Sequence, residues 1–271
     1  MRALQGELAT EGKKVSICQL CRWLGIAHRT FYYKAKVRKR KLDPDVVAKI
    51  KDVIETYPTN GYRMIAAKLS LNRKVVQRVL QVKGWQVNKR AKGHRPRAKA
   101  MKSITAESNV RWATDLTNVW CGVDRWCSIA LVIDCCDREL VGWRLAKSGN
   151  AKTAEAALEE ALIHRFGTLG RVAKPLALRS DNGLVFTSKL FTTTVSAYRI
   201  DQEFTTPYTP EQNGLVERFI RTLKEECIWQ YRFESLAHAR AVIGAWIRYY
   251  NTERPHSRLG YVSPRTFLQA A

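Results

Sequence analysis

The sequence predicts a mixed α/β core over residues 106–228, with all-α modules ahead of it and a helical tail behind. Three observations predict this. Up to about residue 85 the apolar residues recur at helical spacing; from Asn109 β-branched and aromatic residues dominate short runs; after residue 150 helical and strand-like segments alternate. A chain of 271 residues can hold such a core together with smaller modules.

Hydrophobic residues make up 45% of the chain, enough for a packed core, and no run of eighteen apolar residues suggests a membrane span. The N-terminal "MRALQGELATEGKKVS" lacks the apolar stretch of a signal peptide, so a cytoplasmic protein with reduced cysteines is expected. The formal net charge of +23 points to a polyanionic partner, and nucleic acid fits best.

In chain order, residues 1–41 read as a helix-turn-helix module. Ile17, Leu20, Cys21 and Leu24 form one apolar stripe, "GIAH" supplies the turn, and Phe31 and Tyr32 lie on a second short helix. The C-x-x-C pair Cys18/Cys21 could begin a zinc site, but no second pair follows at finger spacing, so the cysteines read as small core residues. The run "KAKVRKRK" then offers Lys34, Lys36, Arg38, Lys39 and Arg40 to a DNA backbone.

Residues 42–87 read as a second helical DNA-binding region. Asp43 and Pro44 open its first helix, and the apolar stripes are Val46/Val47/Ile50/Ile54, Ile65/Leu69 and Val75/Val76/Val79/Leu80. A basic linker at 88–105 holds Lys89, Arg90, Arg95 and Arg97, and its first part, "NKRAKGHRPRAK", contains no acid. A solvated linker is the plainer reading of either run, but two such runs flanking a compact helical segment look more like arms that track a DNA backbone.

Within the core, "RWATDLTNVWC", "RWCSIALVIDCC" and "ELVGWRLA" read as an antiparallel meander. "NAKTAEAALEEALIHRF" is an amphipathic helix with Ala154, Ala157, Leu158, Ala161 and Leu162 inward. A short buried strand, "PLALRS", a helix over 188–198, the strand "IDQEFT" and a helix opened by "EQNG" complete it. Trp112, Trp126 and Trp143 are expected in the core. Residues 229–271 form the C-terminal helix and tail.

Carboxylates displayed at strand ends and loops of such a sheet are candidates for chemistry. Asp115 lies in the first strand, Asp181 follows the fourth, and Glu217 lies one turn into the helix after "EQNG". Three hard-oxygen ligands of this kind suit Mg²⁺, and two such ions can serve an in-line phosphoryl displacement. Asp134, which ends "SIALVID", competes with Asp115. A hairpin turning near Gly122 puts Asp115 opposite about residue 130 and Asp134 roughly 13 Å further on, so only one of the two can join the site. Spacing leaves that choice open. Glu217 also has a plainer reading, as a salt-bridge partner for Arg218 and Arg221 on a basic helix.

"RWATDLT", "RSDNGLVF", "TPEQNGLVERFIRTLKEE" and "YYNTERPHSRLGYVSPRTF" together resemble the DDE transposases encoded by the downstream frame of two-frame bacterial insertion sequences, relatives of retroviral integrases. The likeness covers nearly the whole chain. Its most specific feature is the spacing of 35 residues between Asp181 and Glu217, followed seven positions later by Lys224. One departure is that the stretch between "NGYRMIAAKL" and "RVLQVKGW" is shorter than the family's usual spacing.

The resemblance implies a ribonuclease H-like catalytic core in which Asp115, chosen over Asp134 by its W-x-x-D-x-T context, joins Asp181 and Glu217 to hold two Mg²⁺, with Mn²⁺ able to substitute. It implies a transposase that binds element ends and carries out strand cleavage and strand transfer. Water activated at the metals and then the DNA 3′-hydroxyl are the nucleophiles, with no protein nucleophile. Arg218, Arg221 and Lys224 are the implied DNA contacts on the Glu217 helix. The partners implied are double-stranded element ends and target DNA, a homo-oligomer on DNA, and an upstream-frame product or frameshift fusion, at the bacterial nucleoid. A DNA-binding repressor from a decayed element and a nuclease without strand transfer are the alternatives.

Overall fold

The polypeptide forms its elements where period and caps place them. The computed structural model describes residues 1–34, 42–87, 105–206 and 210–270, which fall into two units, Met1–Asp43 and Pro44–Ala271. In the first unit, α1 (Arg2–Thr10) precedes α2 (Ile17–Trp23) and α3 (His28–Tyr32). Ser16 and Gln19 cap α2 reciprocally, side chain to backbone N–H in both directions, which satisfies two of the orphan donors at its start. Gly25 takes a positive φ of 64° in the turn. Leu20 and Cys21 are buried as expected, whereas Leu24 is exposed, because α2 ends at Trp23 and Leu24 is its C-cap. All seven cysteines are free, and Cys18 is exposed.

The second unit opens with α4 (Pro44–Thr56), α5 (Tyr62–Lys68) and α6 (Arg73–Lys83), which bury Ile50, Val53, Ile65, Ala66, Val76, Val79 and Leu80 against one another and their surroundings. Val75, expected inward, is exposed: α6 starts at Arg73, and its buried stripe runs 76, 79, 80, one helical position away. Val53 likewise takes the buried place expected for Ile54, which is half-buried.

Strands β1 (Arg111–Trp120), β2 (Trp126–Asp134) and β3 (Leu140–Ala146) form the antiparallel meander. Helix α7 (Ala151–Phe166) leads to β4 (Ala177–Ser180), and α8 (Lys189–Ala197) leads to β5 (Asp201–Phe204). The sheet order is β3-β2-β1-β4-β5, with β4 parallel to β1 and β5 parallel to β4. One face packs on α7 and α8 through Trp112, Ala130, Val132, Leu158 and Phe191. The other face packs on α9 (Gly214–Glu226) and α10 (Leu236–Thr252) through Ala113, Ile129, Leu131, Leu223 and Ile243. Helix α11 (Pro264–Ala270) closes the chain.

The pairing of β1 with β2 decides where the acids point. Asp115 lies opposite Leu131, one residue from the expected partner, and Trp112 lies opposite Asp134. Because side chains alternate across a strand, this one-residue shift turns Asp134 to the face opposite Asp115. On that face Asp134 is fully buried and accepts hydrogen bonds from the Asn109, Cys136 and Asp137 backbone N–H groups and from the Trp112 indole. Burial, with Asp137 beside it, raises its pKa.

Asp134 begins a buried acidic turn between β2 and β3. Asp137 and Glu139 are also buried, and Arg165 at the end of α7 reaches both carboxylates, at 2.8 and 3.1 Å, with His164 and Arg265 adding contacts to Glu139. Burial opposes ionisation of Glu139, yet the His164 hydrogen bond and the Arg165 and Arg265 charges hold its pKa below the ordinary value. Helix α7 lies so close to β3 that a Cβ on Gly142 would run into the Ala157 carbonyl and stand 2.7 Å from the Ala161 nitrogen. Both are backbone atoms that cannot swing aside. Gly142→Ala is therefore expected to destabilise the second unit by about 3 kcal/mol, read as a lower midpoint in chemical denaturation.

Trp112 is fully buried and Trp143 packs against the core, but Trp126 is exposed and meets Trp120 edge-on at the end of the β1–β2 hairpin, 5.5 Å between centroids. The C-terminal segment buttresses α9 and β3. Arg254 makes a bidentate pair with Glu226, and the Asn251 side chain bonds both backbone groups of Leu140. His256 accepts from Arg254 and packs edge-on against Tyr250; burial first, then Arg254 and Arg138, lowers its pKa to about 3, so it stays neutral. No helix among the described residues is long and apolar enough to cross a membrane.

Candidate active site

The turn residues before α9 determine where Glu217 stands. Gln212 accepts from the Thr206 N–H and donates to the Thr206 hydroxyl, while its own carbonyl accepts from Arg179 on β4. Asn213, the N-cap, reaches the Thr114 carbonyl of β1 at 3.4 Å. The start of α9 is thereby tied to β1, β4 and the end of β5. Val216, Phe219, Ile220 and Leu223 then seat the helix on the sheet, which leaves Glu217 exposed in the first turn, where the positive end of the helix dipole favours a carboxylate.

Asp115 comes to meet it from the middle of β1. Asp115, Leu116, Thr117, Glu217, Ile220, Arg221, Lys224, Glu225 and Trp229 line one open cavity of about 450 Å³. One Asp115 oxygen accepts from the Leu116 N–H at 2.7 Å, which fixes the side chain at the cavity wall. Burial raises the Asp115 pKa to about 6 against that hydrogen bond; Asp181 and Glu217 add repulsion, and Lys224 opposes them.

Asp181 approaches along β4. The parallel register pairs Trp112 with Leu178 and Ala113 with Arg179 and stops there, and Asp181 follows just past the end of β4, near enough for its charge to be felt by Asp115. Asp181 Oδ1 accepts from the Gly183 N–H at 2.9 Å, closing the turn, and the Asn182 amide donates to the Thr205 carbonyl at 2.7 Å. The Asn182 side chain thus braces β4 against β5. Below this edge Glu203 receives both Arg111 and Arg179; burial raises its pKa, but the two arginine hydrogen bonds prevail and lower it.

Three carboxylates therefore converge on one rim of the sheet, two of them lining the cavity and the third felt by Asp115 as charge. Among the described residues no three carboxylate, histidine or cysteine side chains stand close enough to hold one metal ion. The donor chemistry still fits a hard divalent cation: all three side chains are oxygen ligands, and each aspartate has a second oxygen beyond the one given to a backbone N–H.

Two family models described as integrase core domain match residues 105–210 and 198–264, a continuous stretch from just before the sheet to the start of α11. Over 240 residues the chain is 29% identical to the InsD transposase of insertion element IS2A/D/F/H/I/K of Escherichia coli, covering 84% of this chain and 79% of that protein. The chain belongs to the integrase-core family. The InsD transposase of IS2-9 from E. coli strain K12 is likewise 29% identical over 84% of this chain and 78% of its own length. The fold also matches a chain of the simian T-cell lymphotropic virus intasome, in complex with PP2A regulatory subunit B56 gamma, with a TM-score of 0.53 at 15% identity over 82% of this chain and 75% of that one. The core is ribonuclease H-like, as retroviral integrase cores are, and the class of reaction is polynucleotidyl transfer.

Of the basic residues expected at DNA, Arg221 and Lys224 line the cavity. Arg221 is ion-paired with Glu225 at 2.7 Å, so part of its charge is already matched. Arg218 is exposed on the same helix outside the cavity lining, and Lys34 is exposed at the end of the first unit's described residues. Lys36, Arg38, Lys39, Arg40, Lys89, Arg90, Arg95 and Arg97 lie outside the described residues. Trp229 was not anticipated in the site; its only signal in the sequence is a large aromatic residue two positions after Cys227, off the apolar stripe of α9.

Proposed function

We propose that this chain catalyses transposition of an insertion element, binding the element's ends, cutting DNA beside them and joining the freed 3′-hydroxyl to target DNA. The observation that carries the proposal is the shared cavity of Asp115, Glu217 and Lys224 at the edge of an integrase core, with the charge of Asp181 felt by Asp115. Asp115, Asp181 and Glu217 would hold two Mg²⁺, or Mn²⁺ in their place, and the bound ions would supply stabilisation of the charge that builds on the phosphodiester during in-line displacement.

The chain's own side chains do the rest. Lys224, on the helix of Glu217 and at the same opening, holds a DNA phosphate beside the acids, and Arg218 and Arg221 extend that contact. The N-terminal helices and the basic segments containing Lys34–Arg40 and Lys89–Arg97 hold the element end, as the acid-poor clusters and the charge of +23 favour. The assembly acts as a homo-oligomer on double-stranded DNA in the cytoplasm.

Lys224→Ala is expected to weaken end binding by about 1 to 3 kcal/mol and to lower the salt slope by about one, while the fold stays intact. Affinity for end DNA across a salt series checks this, and an unchanged slope would remove Lys224 from the DNA contact. The function itself is tested by mobility of a marked element between plasmids in cells supplying this chain. Transposed plasmids are expected. Nicked donor DNA without joined product would make the chain a nuclease, and end binding without cleavage would make it a repressor.

A further inference from the structure

We infer that Trp229 is a stacking platform for an unpaired nucleobase next to the DNA phosphate held at Asp115 and Glu217, an inference that rests on the function proposed above. Trp229 is 65% exposed, and it stands in the wall of the same cavity as Asp115, Glu217 and Lys224. Large aromatic side chains ordinarily turn inward, and other exposed aromatic residues nearby have packing explanations. Tyr231 stacks on the buried Phe233 with their planes 9° apart, and Trp126 meets Trp120. Among the described residues no ring contact is recorded for Trp229.

The exposure is built in. Trp229 sits at the centre of a short 3-10 turn, Ile228–Gln230, between the fully buried Cys227 and the partly buried Ile228 on one side and Gln230 on the other. Gln230 pins the turn twice, its N–H donating to the Cys227 carbonyl and its side-chain amide to the Glu225 carbonyl, both at 2.9 Å. With both neighbours anchored, the indole cannot fold back onto the core without breaking the end of α9. A rigid ring presented beside a lysine in a cavity lined by catalytic carboxylates suits a base whose phosphate Lys224 neutralises, since every base offers a π-face and the cation takes the backbone. A duplexed base offers no free face, so the occupant is a base unstacked at the DNA end, where pairing is weakest.

The test uses the full chain and a short duplex carrying 2-aminopurine at the terminal position of the end to be joined, without divalent metal, so that binding is read apart from chemistry. Wild type is expected to quench the 2-aminopurine fluorescence on binding. Trp229→Ala is expected to lose the quench and to bind the end roughly 5- to 100-fold more weakly, whereas Trp229→Phe keeps most of both. A closed circular duplex, which has no ends, should bind both variants equally. Quenching that persists in Trp229→Ala would overturn the inference, as would an unaltered affinity. If wild type quenches but joins no DNA when Mg²⁺ is added, the proposed function fails while the base platform stands; if it joins DNA and Trp229→Ala joins it equally well with the quench intact, only the platform fails.

Discussion

Asp115→Asn is expected to lower strand cleavage about 1000-fold or more, a loss of several kcal/mol of transition-state stabilisation, while DNA binding stays close to that of the parent chain. Under the proposed function, binding would come mostly from lysine and arginine on phosphates, and Asp115, a half-buried carboxylate at the cavity wall, would serve the reacting centre instead. Asp181→Asn and Glu217→Gln should behave alike. Asp134→Asn should do the opposite. Its carboxylate accepts four N–H donors in the core, and an amide would turn an NH₂ group against some of them, so a stability loss of about 3 kcal/mol is expected with cleavage retained at temperatures where the chain is folded. Cleavage rates and denaturation midpoints of the four variants side by side check this, and a silent Asp115→Asn beside an inactive, folded Asp134→Asn would reverse the assignment.

Arg165→Ala is the second change with a large expected effect. Arg165 is almost fully buried and bonds Asp137 and Glu139, themselves inaccessible to water. Removing one partner of a buried ion cluster leaves charge without compensation, which costs about 3 to 5 kcal/mol. The cluster ties the end of α7 to the turn between β2 and β3 and, through Glu139, to Arg265 on α11. The midpoint of urea unfolding should therefore fall sharply. Arg165→Lys, which keeps the charge and loses the fork, should recover only part of the loss. A midpoint unchanged in Arg165→Ala would mean that the acids are held by other groups.

Much of this fold could be read in the sequence, because the relevant signals are local. Asn150 and Ser188 cap α7 and α8 by accepting from the Thr153 and Phe191 N–H groups, and the five inward residues named for α7 are all buried. The β1–β2 register was missed by one residue because the connection is a 3-10 turn, Gly122–Asp124, followed by Arg125 at a φ of 59°, and composition carries no signal for that geometry. The shift is small, but it moves Asp134 to the opposite face of the sheet. Trp126 was misplaced for a related reason: its strand position is right, yet the hairpin end projects past the buried part of the sheet.

The nearness of Asp115 and Glu217, 102 residues apart in sequence, is a long-range contact that no periodicity reveals. It was suggested by the likeness of motifs to a known family, and in the fold it follows from Gln212 and Asn213 tying the start of α9 to neighbouring strands. The buried acids at Asp137 and Glu139 were not anticipated at all, since in sequence a charged turn looks like any solvated loop, and only the approach of Arg165 from α7 makes burial tolerable.

The central claim is that Asp115, Asp181 and Glu217 form a metal-dependent strand-transfer site. It is tested most directly by incubating the purified chain with a plasmid and a labelled, pre-cleaved element end bearing a free 3′-hydroxyl, in Mg²⁺ and in excess chelator, and measuring label joined to the plasmid. Joined product in Mg²⁺, none in chelator and none with Asp115→Asn is the result we expect. Joined product that persists in chelator, or with Asp115→Asn, would contradict the claim.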